Sequence, residues 1–181
     1  MPVITDRPQL LADAAIGLIA SSGMRALTHR AVDAAADVPT GTTSYHFRTR
    51  RELLRGVLVR IAEINRARLA GLPGPPTGPE GAPTTRDGRR AEAGRLADRV
   101  SIFIDGQIGE HRDRTLARMA CEIEVASDPD LREILHAGSI FRTLAIGAVT
   151  RLGVADPPRS ADGLIALLNG LQYDRLVGVG S

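Results

Sequence analysis

Residues 27–47 read LTHRAVDAAADVPTGTTSYHF. An alanine-rich apolar pattern stops at Asp37-Val38-Pro39, and five hydroxylated residues then fall within the six positions 40–45. Thr28 is placed to cap a short helix whose buried face would be Ala31, Val32 and Ala35. Pro39 disfavours helical geometry at Val38 and can itself open the next helix, so the turn holds Val38 as an apolar plug. Residues 40–46 then form a further helix, and Phe47 closes it with an aromatic anchor. Two short helices at 28–36 and 40–46, joined by a three-residue turn, make a helix-turn-helix. Ala34, Ala35 and Ala36 allow close approach of the pair. Thr40, Thr42, Thr43, Ser44, Tyr45 and His46 would supply an outward polar face. Hydroxyls donate to phosphate oxygens or to either base edge, and a threonine methyl can rest on a thymine methyl. The implied partner is duplex DNA.

Helical spacing extends both ways from this stretch. Leu10, Leu11, Ala14, Ala15, Leu18 and Ile19 share one face, and Ser21-Ser22-Gly23 ends the segment. Downstream, Thr49-x-x-Glu52 is a capping-box pattern that opens a long fourth helix. Its stripe is Leu53, Leu54, Val57, Leu58, Ile61 and Ile64, running to about Leu69. Residues 71–88 contain 5 Pro and 5 Gly in 18 positions, which fits a flexible joint better than any regular element. Four more helical patterns follow, at about 89–109, at about 112–126, from Asp128-Pro129 to Leu152, and from Pro157-Pro158 to Leu176. No segment keeps the two-residue period of a strand. The expected fold is all-α: a DNA-binding head over 1–47, a connecting helix over 48–70, a linker over 71–88, and a helical domain over 89–181.

Charge supports this division. The formal net charge is +2, but residues 1–70 carry 10 Arg against 6 acids, a balance of +4. Residues 71–181 carry 13 Arg against 15 acids, a balance of −2. Such asymmetry points to an N-terminal segment that meets something negative. All 23 basic residues are Arg; a bias toward GC-rich codons accounts for that as simply as phosphate recognition does. The single cysteine, Cys121, excludes an internal disulfide framework and a multi-cysteine metal site, and its helical context reads as a buried inert thiol. No apolar run approaches membrane-spanning length and no secretory pattern opens the chain, so a cytoplasmic address without membrane is expected. An enzyme has no support: His29, His46, His111 and His136 lack metal-ligand spacing, and no Gly-rich phosphate loop or acid pair has catalytic context. No cofactor is called for.

The stretch LTHRAVDAAADVPTGTTSYHFRTRRELL resembles the DNA-binding signature of the tetracycline-repressor (TetR) family of bacterial transcriptional regulators. Leu27-Thr28, Val38, Gly41-Thr42, Tyr45-His46-Phe47 and Leu53-Leu54 carry the match, which is sharp over about residues 8–60 and architectural beyond. Asp37 stands where glycine is common, so it must tolerate left-handed geometry. Ser44 occupies the place of a frequent tyrosine, and Arg50 that of a common lysine. The resemblance implies that Thr28 anchors its helix to a phosphate and that Arg30 can reach a base. It implies too that Thr40, Thr42 and Thr43 face the major groove, while Tyr45, His46 and Arg50 hold the backbone. Gly41 would let the backbone approach the duplex closely.

It further implies a homodimer, a palindromic operator, and C-terminal helices enclosing a small-molecule effector that releases a repressor. Aromatic residues are scarce there, which favours an aliphatic or mildly polar effector lined by Phe103, Met119, Ile123, Phe141 and Leu144. Family members usually finish with two long helices that join the dimer. This chain ends at VGVGS soon after the first candidate, so either it is shortened or the dimer is built mainly from residues 160–178. The alternative function is a DNA-binding regulator controlled by a protein partner, or by no small molecule at all.

Overall fold

The computed structural model describes residues 6–71, 81–137 and 140–180, and among them there are nine α-helices and no strand. They are α1 (Arg7–Ser22), α2 (His29–Ala35), α3 (Thr42–His46), α4 (Arg50–Gly71), α5 (Arg86–Ile108), α6 (Arg112–Glu124), α7 (Pro129–Ala137), α8 (Ile140–Arg151) and α9 (Pro157–Val177). A 3₁₀ turn over Met24–Ala26 joins α1 to α2. No described helix is long and apolar enough to cross a membrane.

Helix starts follow side-chain chemistry. The Thr28 hydroxyl accepts the Ala31 N–H at 3.2 Å and so caps α2. At α4 Thr49 accepts the Glu52 N–H at 3.1 Å as in a capping box, while the Glu52 carboxylate reaches one residue further back, to the Arg48 N–H at 2.6 Å. Asp128 caps α7 through the Leu131 N–H, and Asp156 caps α9 through the Arg159 N–H. Thr85 caps α5 through the Gly88 N–H, so this helix starts at Arg86, inside the stretch expected to be linker. Residues 72–80 of that stretch lie outside the described residues. The single helix expected from Pro129 to Leu152 is instead α7 and α8; Gly138-Ser139, two poor helix formers, fall at their junction in the sequence.

The chain divides into two compact units, interleaved along the sequence. The first comprises Met1–Ala67 and Asp113–Gly138, so α6 and α7 group with the N-terminal helices. Leu11, Leu27, Val32, Leu53, Val57, Leu58 and Ile61 are its large fully buried side chains, joined by Ala117, Cys121, Val125 and Leu131 from α6, α7 and the turn between them. Ion pairs fasten the same helices: Arg60 holds Asp13 of α1, Arg50 holds Glu124 of α6, and Arg51 forks onto Asp128 with a further contact to Asp130. The Phe47 ring lies over Gly56 of α4, where an added Cβ would meet it at 2.5 Å.

The second unit comprises Arg68–Arg112 and Ser139–Ser181, in which α5, α8 and α9 pack on one another. Its buried apolar residues are few and mostly small: Ile104, Ala148, Val149, Ala161 and Leu176. A shielded ion pair supplements them. Arg151 donates to Glu92 at 3.0 Å, and Arg95 takes the other carboxylate oxygen. The hydrogen bonds from Arg95 and Arg151, with their charge, outweigh burial and hold the Glu92 carboxyl below the usual carboxylate range.

The glycines separate propensity from packing. Gly56→Ala gains about 1 kcal/mol of helix propensity but collides with the Phe47 ring, and overpacking of that kind costs about 1–3 kcal/mol. A net loss of stability is expected in denaturant unfolding. Gly17→Ala in α1, with nothing within 4 Å of the new methyl, should instead stabilise by about 0.4–1 kcal/mol.

Candidate nucleic-acid interface

Helix α3 is five residues long, too short to persist by its own hydrogen bonds. Asp33 of α2 supplies what it lacks. Its carboxylate, only 2% exposed, accepts the Gly41 N–H at 2.7 Å on one oxygen. The other oxygen accepts both the Thr43 N–H, at 2.7 Å, and the Thr43 hydroxyl, at 2.6 Å. Two orphan N–H groups at the start of α3 are thus satisfied from the neighbouring helix, by an anion at the positive end of the peptide dipoles. At the other end, His29 Nε2 lies 2.6 Å from the Phe47 carbonyl oxygen, which can only accept, so the ring nitrogen donates. Helix α3 is therefore tied to α2 at both ends.

The backbone between the helices is set by two left-handed residues, Asp37 at φ 51° and Gly41 at φ 99°. Asp37 adopts the geometry expected of it in place of glycine. Gly41 stops helical continuity before Thr42, so α3 begins there and not at Thr40. The Pro39 carbonyl accepts both the N–H and the hydroxyl of Thr42, at 3.1 and 2.6 Å.

These constraints sort the candidate DNA-contacting residues. Thr28, Arg30, Thr40, Gly41, Ser44, Tyr45 and Arg50 are exposed, and Thr42 and His46 are half-buried. Tyr45 projects furthest, 81% exposed, with its ring edge against that of His46 at a centroid distance of 5.1 Å. Thr43 departs from expectation. It is completely buried and its hydroxyl is committed to Asp33, because a five-residue helix clamped at its first turn must turn one residue inward. The expected inner face of α2 also shifts: Val32 is buried and Ala31 half-buried, but Ala34 and Ala35 are exposed, and Asp33 takes the inward place. Arg50 is shared, its guanidinium donating to Glu124 at 2.9 Å and to the Met24 carbonyl at 3.0 Å.

Asp33 and His29 were not singled out from the sequence. The available signal was an acid next to Val32 on a short apolar helix, followed eight residues later by a glycine turn with free N–H groups. Among the expected effector residues, Met119 and Ile123 belong to the first unit and Phe103, Phe141 and Leu144 to the second. Phe103 and Phe141 meet edge to face, with ring centroids 5.3 Å apart. Ile123 is 75% exposed. Burial, helped by the charges of Glu122 and Glu124, pushes the Cys121 thiol up to about 12, so it stays neutral and inert at physiological pH.

Residues 11–57 match the model of bacterial regulatory proteins of the tetR family, and residues 91–181 match that of the tetracyclin repressor-like C-terminal domain. The chain belongs to the TetR family of transcriptional regulators. The surface built by α2 and α3 is the family's DNA-binding helix-turn-helix. Among solved structures, a TetR-family member (SCO1917) from Streptomyces coelicolor A3 is 26% identical, with a TM-score of 0.67 over 95% of this chain and 88% of that one. The multidrug-binding protein EbrR, complexed with ethidium, is 29% identical, with a TM-score of 0.63 over 95% of this chain and 88% of its own. No curated protein matches the chain.

The clamp has a pH signature. Burial opposes ionisation of Asp33, but the hydrogen bonds from Thr43 and Gly41 and the charge of His29 outweigh it, leaving the carboxyl below its ordinary value. A depressed folded value means the contribution is complete above the unfolded value, about pH 4, and is lost as pH falls through the folded one. Asp33→Asn turns one acceptor oxygen into a donor facing another N–H, which should cost about 1–3 kcal/mol. In thermal melts the gap between wild type and Asp33→Asn should be constant over roughly pH 5–8 and narrow below about pH 4.

Proposed function

We propose that this TetR-family regulator is a repressor that binds a palindromic operator as a homodimer and is released by a small-molecule effector. The observation that carries the DNA-binding part is the exposed edge of a doubly clamped helix. Thr40, Ser44 and Tyr45 stand outward on α3 and the turn before it, with Arg30 beside them on α2, while Asp33 and His29 hold the helix rigidly behind. Such pre-ordering spares the interface the entropy of fixing its own backbone on binding. Thr40, Thr42 and Ser44 face the major groove, Gly41 lets the backbone approach it, Arg30 reaches a base, and Thr28, Tyr45, His46 and Arg50 meet phosphates.

The dimer is supported by the second unit's surface. Leu167 is 60% exposed, Leu171 42%, Tyr173 58% and Val177 50%, and all four lie along one side of α9. Gly163 and Gly170 share that side and have open space where a Cβ would stand, so a second helix could approach closely. A unit with few large buried side chains and such a stripe outside is suited to burying it against its own copy. Two copies would then present their α3 helices to successive major grooves, roughly 34 Å apart.

An effector response is supported by the tetracyclin repressor-like domain over 91–181 and by the complexes of EbrR with ethidium, proflavin and malachite green. Helix α4 provides the route. It runs unbroken from Arg50, beside the helix-turn-helix, to Gly71, and its first turns are pinned by Arg50 and Arg51 to α6 and α7. A coupling of about 1–3 kcal/mol would lower operator affinity roughly 5- to 150-fold.

Fluorescence anisotropy with genomic fragments tests the reading: a site bound more tightly than bulk DNA, with affinity falling steeply as salt rises, is expected. Absence of any such site overturns it. On that site Arg30→Ala should lose about 1–3 kcal/mol and relax base preference, whereas Thr28→Ala should weaken all sequences alike. Leu171→Glu should give monomers in sedimentation, with operator binding weakened accordingly.

A further inference from the structure

Three shielded arginines hold a carboxylate: Arg60 holds Asp13, Arg118 holds Glu122, and Arg151 holds Glu92. Arg68, in the last turn of α4, does not. Among the described residues its hydrogen-bond partner is a neutral amide, the Gln107 side-chain oxygen at 3.1 Å, and the one acid that acts on it, Glu110, does so from beyond ion-pair distance. A guanidinium offers five N–H donors in a planar fork, and a single amide oxygen leaves the fork's capacity for a bidentate acceptor unused.

The surroundings fit such an acceptor. Gln107 is 5% exposed, so its amide is held in place and cannot swing away to water. Gly106 adjoins the same group: a Cβ there would stand 3.6 Å from Arg68 Nη2 and 3.9 Å from His111 Cδ2, ordinary contact distances, so guanidinium and imidazole lie next to one another across this glycine. The His111 side chain is 13% exposed. One turn back along α5, Phe103 lies on the same face as Gln107 at the i,i+4 spacing, and its ring is in contact with Phe141 of α8. A cationic fork and an apolar pair thus follow one another along the same side of α5, all within the second compact unit. Burial lowers the guanidinium's affinity for its proton, and an anion would restore what desolvation removes.

We propose that Arg68 and Gln107, flanked by His111, anchor the effector, and that the effector is an organic anion: a carboxylate on an apolar body that runs toward Phe103 and Phe141. This names the ligand class for the effector reading above and rests on that reading for its regulatory meaning, although the binding itself does not. A guanidinium fork at this place would repel a cationic ligand such as ethidium. Because Arg68 is on α4, the anion pulls on the helix whose first residue stands beside the DNA-reading surface.

Calorimetric titration of the full-length protein with decanoate, decan-1-ol and ethidium decides it. Decanoate should bind roughly ten- to a hundredfold more tightly than decan-1-ol, the margin of a charge-assisted hydrogen bond, and ethidium most weakly. Arg68→Gln should erase the preference for the acid, bringing decanoate binding down to that of decan-1-ol. Gln107→Glu is the second variant: it gives the fork an internal carboxylate and should abolish decanoate binding in a folded protein. No decanoate binding, equal binding of acid and alcohol, a preference that survives both variants, or ethidium binding more tightly than decanoate overturns the proposal. Operator affinity, measured by anisotropy on the same samples, separates the two readings. Arg68-dependent decanoate binding that leaves operator affinity unmoved supports the site and defeats the effector role.

Discussion

The DNA-reading surface depends on one buried carboxylate. Asp33, itself almost fully buried, accepts three hydrogen bonds from the first turn of α3 and its preceding glycine. A short helix cannot hold its shape alone, since nucleation fixes many dihedrals for few hydrogen bonds. A buried anion, conversely, is tolerable only where its acceptor capacity is filled. Each partner therefore supplies what the other requires. With His29 closing the opposite end on the Phe47 carbonyl, α2 and α3 behave as a single piece.

The same arrangement explains which residues are free to meet DNA. Clamping the first turn of α3 turns Thr43 inward, and the stagger of the helix then leaves Ser44 and Tyr45 outside. Phe47, packed over Gly56, sets where α4 departs, and the capping box around Thr49 and Glu52 starts that helix at once. From there Arg50 and Arg51 reach acids of α6 and the start of α7. The DNA-reading helices, the first turns of α4 and two helices from the middle of the chain thus share one core.

The two compact units differ in how they are stabilised. The first closes over large aliphatic side chains. The second buries smaller ones around a Glu92–Arg151 pair and leaves the larger apolar residues of α9 outside. Replacing a buried ion pair by well-packed hydrophobic residues of similar volume is often neutral or stabilising, whereas removing one partner alone leaves an uncompensated buried charge.

Much of this was written in the linear chain, for a definite reason. Helix starts depend on residues three or four positions apart, so Thr28, Thr49, Asp128 and the prolines near 157 announced α2, α4, α7 and α9 without any tertiary knowledge. The left-handed Asp37 was likewise local, as was the hydroxyl-rich composition of α3. Tertiary structure decided the rest. That Asp33 is an inward clamp and Thr43 its partner depends on two helices crossing, a relation between positions ten apart with no periodic signature. That α6 and α7 join the N-terminal core depends on contacts spanning more than seventy residues, as between Arg50 and Glu124. The approach of Arg68 to Gln107 across the Pro/Gly-rich stretch is of the same kind. Local chemistry sets where a helix begins; which of its side chains turn inward is set by what arrives from elsewhere in the chain, because burial and pairing are properties of the packed molecule and not of the segment.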